Sequence, residues 1–361
     1  MDRTAPKLKD IAERLNLSIG TVQRALHNKG GYSEETKKRI LEEARRCNYV
    51  VNTAASALRR QPICISVILP SPEGENRYFV PYLWKGIENA CIDMSIYTIN
   101  VTKHYAEAGS SEAIDALRGI LDGRDGVVQG VIANTSTNPE ELSLLSEIAA
   151  RKTPVFIVNT VSKTTVQDSF IVNNNKGAGK LCADIFISIH RNASGKLLML
   201  SGSRDSSRQL EKINDFSKLM MAKCPDVYIQ EIHSYTDLRR LRAIMEEYLS
   251  KFDDIIGIYA VSARETIAMC QTVRKLGLSG KITTIGTDVF PELLEYFRDD
   301  TLTASIYQYP AQQAYIGIQT IIRIVTGIGS GENIVSLPTA AVFASNAEAF
   351  CEENNASYRA I

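Results

Sequence analysis

From residue 63 onward, short apolar runs alternate with stretches in which apolar residues recur at helical spacing. The apolar runs are strand-like and comprise Ile63–Leu69, Ile96–Val101, Val127–Ala133, Val155–Val158, Lys196–Leu200, Tyr228–Ile232, Ile255–Ala260, Ile282–Gly286 and Ala304–Tyr307. Helical stretches lie between most of them, for example at 81–94, 175–190, 263–276 and 311–326. This alternation predicts parallel sheets flanked by helices. Because there are too many strands for one small sheet, we expect two lobes.

The first sixty residues have a different pattern, with apolar positions at helical spacing only. In a first short helix these positions are Leu8, Ile11, Ala12 and Leu15, and in a second they are Val22, Ala25 and Leu26. Ser18 suits the N-cap of the second helix, and Ser33 suits that of a third. Two short helices joined by a tight turn are typical of a helix-turn-helix that places a helix in a DNA major groove. A generic three-helix bundle is the alternative.

Charge separates this head from the rest of the chain. The whole chain carries 41 Lys and Arg against 41 Asp and Glu, which alone argues against a nucleic-acid partner. Residues 1–60, however, carry 13 basic against 7 acidic residues, and the remainder carries 28 against 34. A basic head on a mildly acidic body suits a DNA-reading head whose body does not adhere to DNA.

Several other classes of protein are disfavoured. The first residues contain no apolar core of a signal peptide, and no apolar run approaches the roughly 18–20 residues that span a bilayer. The seven cysteines are scattered without a C-x-x-C, and the four histidines share no metal-ligand spacing. We therefore expect reduced thiols in a cytoplasmic protein, with no metal and no cofactor.

The head resembles the lactose-repressor (LacI) family of bacterial transcription regulators. The residues that carry this resemblance are Lys9-Asp10-Ile11-Ala12, Leu17-Ser18, Thr21-Val22, Arg24, Leu26, Asn28, Ser33, Thr36, Tyr49, Asn52, Ala55 and Leu58. The resemblance implies that Ile19, Gly20 and Arg24 reach base edges. It implies phosphate contacts from five residues: Thr21, Gln23, Asn28, Ser33 and Thr36. It also implies that Tyr49 lies beside the groove, and that Ser18, just before the reading helix, belongs to the DNA-binding set.

Some head positions depart from the family pattern. Ile19 and Gly20 are poor hydrogen-bonding residues where many members have polar ones, and Gln23 stands where a serine is usual. Val50-Val51 replaces a frequent Arg-Pro. We therefore expect an operator that differs from the well-known sequences.

Residues 52–60 resemble the family's hinge helix, which orders when two subunits sit on DNA. Leu58 is the expected apolar wedge into a central base step of the minor groove. The other expected contacts are Asn52, Ala55 and Arg59. An ordinary alanine-rich linker helix is the alternative.

The body resembles the periplasmic sugar-binding fold that LacI-type regulators carry behind their heads. The overall expectation is an all-α helix-turn-helix head plus an α/β body of two lobes with doubly wound parallel sheets. The boundaries expected are 1–50 for the head, 51–61 for the hinge and 62–361 for the body. The first lobe is expected at 62–160 and 308–327, and the second at 161–307 and 328–350.

In this fold the ligand lies at the carboxyl ends of strands, in the cleft between the lobes. The residues expected to contact it are Tyr78, Phe79, Asn159, Asn174, Lys212, Ser262, Asp288 and Gln308. Asp288 follows Ile285-Gly286-Thr287 and matches the family's Gly-x-Asp carboxylate. Core packing or a position at the lobe edge remains an alternative for the two aromatic residues, and helix capping remains one for Asn174. Asn159, Asn173 and Ala263 stand where the family usually has aspartate.

Amides and one carboxylate suit a polyhydroxylated ligand, because each sugar hydroxyl both donates and accepts hydrogen bonds. The lost aspartates leave open an acidic, phosphorylated or unusual sugar. The expected function is that of a homodimeric, ligand-responsive transcriptional regulator of a carbohydrate operon, which binds a near-palindromic operator. A transport binding protein and an enzyme are the alternatives; the head argues against the first, and the lack of an acid–base pair argues against the second.

Overall fold

The structure is a computed structural model that describes residues 8–26, 30–47, 61–159, 170–173, 175–191, 194–202, 207–234, 237–328 and 334–355. The head contains the three predicted helices, α1 (Leu8–Leu15), α2 (Ile19–Leu26) and α3 (Glu34–Arg46). Their contact is apolar, because Ile11, Val22 and Ile40 are fully buried in one cluster. The predicted caps are confirmed: the Ser18 and Ser33 hydroxyls accept the backbone N–H groups of Thr21 and Thr36, both at 3.1 Å.

The body begins with alternating strands and helices, as the apolar pattern predicted. Its strands are β1 (Ile63–Leu69), β2 (Ile99–Tyr105), β3 (Gly130–Asn134), β4 (Val155–Val158), β5 (Phe170–Asn173), β6 (Gly195–Ser201), β7 (Val227–His233), β8 (Ile255–Ala260), β9 (Thr283–Thr287), β10 (Ala304–Tyr307), β11 (Ile334–Ser336) and β12 (Ala340–Val342). Its helices are α4 (Val80–Asp93), α5 (Ser111–Leu121), α6 (Pro139–Ala150), α7 (Asn175–His190), α8 (Ser207–Lys223), α9 (Leu238–Lys251), α10 (Ala263–Lys275), α11 (Leu294–Arg298), α12 (Pro310–Thr326) and α13 (Ala347–Asn355).

The strands form two six-stranded sheets. The first has the order β11-β5-β4-β3-β1-β2, and the second has the order β12-β10-β9-β8-β6-β7. Pairing is parallel throughout except between β10 and β12, which run antiparallel. The expected two-lobed α/β body is therefore confirmed, with one lobe built on each sheet.

The lobe boundaries differ from the expected ones. Residues 170–173 pair with β4, so the chain leaves the first sheet after Asn173 and not near 159–161. Residues 334–336 also belong to the first sheet, where they pair with β5, and only residues 340–342 return to the second. β5, β11 and β12 were not predicted from the sequence. β11 and β12 have three residues each, and β5 has only three apolar residues, fewer than the run of four or more that indicates a strand.

The two faces of the first sheet are covered by helices, and α4 packs against α12 on one of them. Their approach is close: a Cβ at Gly86 would lie 2.0 Å from the carbonyl oxygen of Ala311. Glycine is therefore required for this packing, and the first turn of α12 is held firmly in the first lobe. In the part of the chain that the structure describes, no helix combines the length and apolar character needed to cross a membrane.

Candidate ligand cleft and nucleic-acid interface

A cleft of about 570 Å³ opens between the lobes, at the carboxyl ends of strands from both sheets. Among the eight predicted ligand residues, seven line it: Tyr78, Phe79, Asn159, Lys212, Ser262, Asp288 and Gln308. The eighth, Asn174, lies outside the described residues. Ligand contact and helix capping therefore both remain open for it. Residues that follow β1, β4, β8, β9 and β10 are far apart in sequence, and the fold brings them together at the carboxyl ends of the strands.

Asp288 is the buried carboxylate of the cleft. It directly follows β9, has a left-handed φ of 69°, and is held by its backbone N–H, which donates to Ile306 at 2.8 Å. Burial raises the pKa of its carboxyl group to about 6, against the opposing effects of the Lys212 charge and of a hydrogen bond from Gln308. Gln308 Nε2 donates that bond to Asp288 Oδ1 at 2.7 Å. Asp288 therefore presents hydrogen-bond acceptor capacity whose strength depends on pH.

Lys212 provides a cation on the second-lobe wall. It lies on α8, is 6% exposed, and acts electrostatically on Asp288. The backbone beside it packs tightly, because a Cβ at Gly179 would lie 2.3 Å from the Lys212 carbonyl oxygen. One turn earlier, Gln209 Oε1 accepts the N–H of Gly202 at 2.7 Å, which fixes the loop after β6 against the same helix.

Ser262 lines the cleft, but its hydroxyl has a partner within the protein. It donates to Glu265, a fully buried carboxylate that also accepts from the Ser234 hydroxyl at 2.8 Å. Glu265 lies in the first turn of α10. The Ser262 oxygen can still accept a hydrogen bond from a ligand, whereas donation to a ligand requires exchange of the bond to Glu265.

The two aromatic residues behave differently. Tyr78 is buried, and its ring centroid lies 4.5 Å from that of Phe290 in the second lobe, while its hydroxyl accepts a hydrogen bond from Arg77. Packing of its ring against Phe290 accounts for this position, and Tyr78 also lines the cleft, so its contact with a ligand stays a prediction. Phe79 is half-buried at the cleft wall, where a ring face can stack on the apolar face of a sugar.

Several cleft residues were missed by the sequence analysis. Asn134 ends β3, and Glu107 follows β2 and accepts from Asn76 Nδ2 at 2.7 Å. Arg264 lies next to Ala263, on the wall that also carries Lys212. The strand-end rule could have found Asn134, whereas Gln209 and Asn76 lie on helical segments whose direction only the fold defines.

The head presents a second polar surface along α2. Gln23 and Arg24 are exposed, Ile19 is 47% exposed, and the Arg24 guanidinium donates to the Thr21 hydroxyl at 3.4 Å. The Thr36 hydroxyl lies 2.8 Å from that of Ser33 at the start of α3. The remaining predicted contacts lie outside the described residues, so their roles stay predictions: Asn28, Tyr49, Asn52, Ala55, Leu58 and Arg59.

Within the described ranges, no group of three or more His, Cys, Asp or Glu side chains is placed to hold a metal ion. The cleft is lined by amides, two carboxylates, two cations and two aromatic rings. Such a set can recognise a ligand through hydrogen bonds and stacking.

Comparison with known families places both parts of the chain. Residues 7–52 match bacterial regulatory proteins of the lacI family, and residues 65–329 match the periplasmic binding protein domain. The chain belongs to the LacI family, with a periplasmic binding protein domain as its body. The family assignment predicted from the head is confirmed, and neither match describes an enzyme.

Individual relatives of this LacI-family chain agree with that assignment. The HTH-type transcriptional regulator RegA of Clostridium acetobutylicum is 31% identical over 158 residues, which are 43% of this chain and 44% of RegA. The match thus spans less than half of RegA. The probable HTH-type transcriptional repressor ExuR of Bacillus subtilis is 26% identical over 78% of this chain and 81% of its own length.

A solved structure shows the same body fold. GanP, a glucose-galactose binding protein from Geobacillus stearothermophilus, has a TM-score of 0.67 and 20% identity, covering 80% of this chain and 99% of GanP. At this identity the likeness establishes the fold of the body and leaves the ligand open.

Proposed function

We propose that this LacI-family chain is a ligand-responsive transcriptional regulator, a repressor of a carbohydrate-utilisation operon that acts in the cytoplasm. The observation that carries the proposal is that one chain holds both an exposed, polar helix-turn-helix and a two-lobed cleft with a buried carboxylate. The first suits DNA and the second suits a small molecule. Effector binding in the cleft changes the relative position of the lobes and, through residues 52–60, the affinity of the head for DNA.

The effector is proposed to be a sugar or sugar derivative. Amide groups of Asn134, Asn159 and Gln308 and the carboxylate of Asp288 line the cleft, and each pairs well with a hydroxyl that donates and accepts. The cleft volume of about 570 Å³ lies in the ordinary range for small-molecule sites. Lys212 and Arg264 on one wall also suit a carboxylate or phosphate substituent.

A homodimer on a near-palindromic operator is proposed because a single small head buries too little surface for operator specificity. The first lobe offers a surface that suits self-association. β2 is an edge strand, and α4, β2 and the segment between them leave large apolar side chains exposed, among them Ile92 at 62%, Ile96 at 42% and Tyr105 at 55%. Exposed apolar area of this kind is typical of an interface.

The proposal is tested in two steps with the full chain. Duplex DNA is first selected from a random pool, and we expect enrichment of a sequence with approximate two-fold symmetry. Pentoses, hexoses, hexuronates and their phosphates are then screened for thermal stabilisation, and each hit is tested for its effect on binding to the selected DNA. Failure to enrich any DNA sequence would contradict the regulator assignment, and hits that leave DNA binding unchanged would contradict the effector role.

A further inference from the structure

Gln308 lies where the chain passes from the second lobe to the first, and hydrogen bonds tie it to both. On the second-lobe side, its Nε2 donates to Asp288 Oδ1 at 2.7 Å. On the first-lobe side, the backbone carbonyl oxygen of Gln308 accepts a hydrogen bond from Gln313 Nε2 at 2.9 Å. The crossing is therefore attached to the cleft carboxylate at one end and to α12 at the other.

Gln313 extends this connection to a second strand end. Its Oε1 accepts the backbone N–H of Asn159, the residue after β4, at 3.0 Å. Gln313 is 2% exposed, so both ends of its amide are satisfied by the protein away from bulk solvent. One side chain thereby joins the Gln308 crossing to the carboxyl end of β4, and a hydrogen-bonded path runs from Asp288 through Gln308 and Gln313 to Asn159.

The backbone around this path is unusually constrained. Asn159, Asp288 and Tyr309 have φ values of 50°, 69° and 53°, in the left-handed region that non-glycine residues seldom adopt. Such conformations persist where surrounding contacts hold them, and they concentrate at functional sites. The hydrogen bonds of Gln313 supply such contacts directly at Asn159 and next to Tyr309.

The first lobe gives Gln313 a firm base. Gln313 lies in the first turn of α12, two residues after Ala311, whose carbonyl oxygen lies against Gly86 of α4. Because α4 and α12 are locked together there, the Gln313 amide has little freedom to follow a moving second lobe. A rotation of that lobe about the crossing must therefore strain or break the bond to the Gln308 carbonyl.

We propose that Gln313 is a positioning residue that restrains the angle between the two lobes by fixing the Gln308 crossing to the end of β4. An apolar side chain of equal length cannot do this, because the function needs a donor and an acceptor on one planar group. The consequence for regulation rests on the proposed function: the same path that contacts Asp288 sets how easily the lobes rotate when an effector binds.

The test measures the lobe angle without any ligand. In the full chain, ketone-bearing unnatural residues replace Asp122 in the first lobe and Tyr228 in the second, both of which are exposed, and each carries a spin label. The native cysteines stay in place, and co-expression with excess unlabelled chain keeps most spin pairs within one protomer. Pulsed electron resonance then gives the distribution of inter-lobe distances.

Two matched variants are compared with wild type. Gln313→Met removes both hydrogen bonds at nearly constant volume, and Gln319→Met makes the same change on the same helix at a half-buried position. We expect Gln313→Met to broaden the distance distribution roughly twofold and Gln319→Met to leave it unchanged. A distribution for Gln313→Met that equals wild type, or equal broadening by both variants, would overturn the proposal, since the second result reports general loosening of α12.

An additional experiment with sugars distinguishes failure of this inference from failure of the proposed function. D-glucose, D-galactose and D-glucuronate are added, and binding is followed by the fluorescence of Trp84, whose Nε1 donates to the carbonyl of the cleft residue Pro70 at 3.3 Å. For a sugar that binds, we expect wild type to narrow its distance distribution and Gln313→Met to narrow it less at similar affinity. Binding without any narrowing in wild type contradicts the proposed effector mechanism, whereas the ligand-free comparison still decides the role of Gln313.

Discussion

Three charged side chains in or beside the cleft show how the protein accommodates buried charge. Asp288 accepts from Gln308 and lies within the field of Lys212, and Glu265 accepts from two serine hydroxyls. A buried charge without such partners would be strongly destabilising. The hydrogen bonds that make these groups tolerable also orient them, so at the residue scale stability and recognition depend on the same contacts.

Because the pKa of Asp288 is raised, we expect the free energy of unfolding of the protein to depend on pH. Its pKa is raised from 3.8 to about 6 by burial, so folding favours the protonated form. The resulting stabilisation is fully present below 3.8 and is lost as pH rises through about 6. Relative to Asp288→Asn, the ligand-free wild type should therefore lose unfolding free energy across this window. Denaturant titrations of both proteins at several pH values measure it, and parallel pH profiles would contradict the assignment.

We expect that substitution of Arg24 reduces discrimination between bases by the head. Its guanidinium is exposed beside Gly20 and can form two hydrogen bonds to a guanine. Arg24→Ala should weaken binding to selected DNA by about 1–3 kcal/mol and relax preference at one position of each half-site. Arg45→Ala, which removes an exposed arginine of α3 outside the predicted contact set, is the control. Equal, sequence-independent weakening by both variants would reduce Arg24 to a general electrostatic contact.

Residue-level prediction identified residues of the cleft lining where a local motif was present, and missed residues where the fold brings distant segments together. Asp288 follows a strand in a short recognisable pattern, and Gln308 precedes Tyr309-Pro310 at a crossing. Gln313 instead lies within a largely apolar helix and gives no local signal. Its hydrogen bond depends on α12 reaching Asn159, the residue after β4, which lies 154 positions earlier in the chain.

At the scale of elements, apolar runs of four or more residues defined strands well, and helical spacing did the same for a helix. β1, β4, β8, β10 and α7 have the predicted limits. The pattern did not identify β11 and β12, which have three residues each, or β5, which has only three apolar residues. The place of each is set by pairing with another strand of its sheet. This is also why the predicted lobe boundary fell about a dozen residues before the observed departure from the first sheet.

Because α4 and α12 are in close contact, we expect one methyl group added at Gly86 to lower the stability of the protein. A Cβ at Gly86 would meet backbone atoms of Ala311, so Gly86→Ala forces the helices apart and should lower the free energy of unfolding by about 1–3 kcal/mol. At Gly119 of α5 the nearest atoms, from 3.4 Å, belong to the flexible Arg124 side chain. Gly119→Ala should therefore be neutral or stabilising, as expected from helix propensity. Equal effects of the two substitutions in denaturant titrations would contradict the packing argument.

At the scale of the whole molecule, charge and architecture separate two tasks. The basic surplus lies in residues 1–60, and the small-molecule cleft lies in a body of opposite charge. The lobes meet through short crossings near Asn173, Gln308 and residues 337–339, so a change in the cleft has few covalent routes to the rest of the chain. Such a construction suits a regulator in which ligand affinity and DNA affinity are coupled.

The most direct test is the affinity of the full chain for its selected DNA with and without a sugar that binds the cleft. A coupling of 1–3 kcal/mol, typical of allosteric proteins, predicts a change in Kd of about 5- to 150-fold. Asp288→Ala should abolish the sugar response, because it removes the buried carboxylate of the cleft. A saturating sugar whose binding needs Asp288 but which leaves the Kd for DNA unchanged would contradict the account.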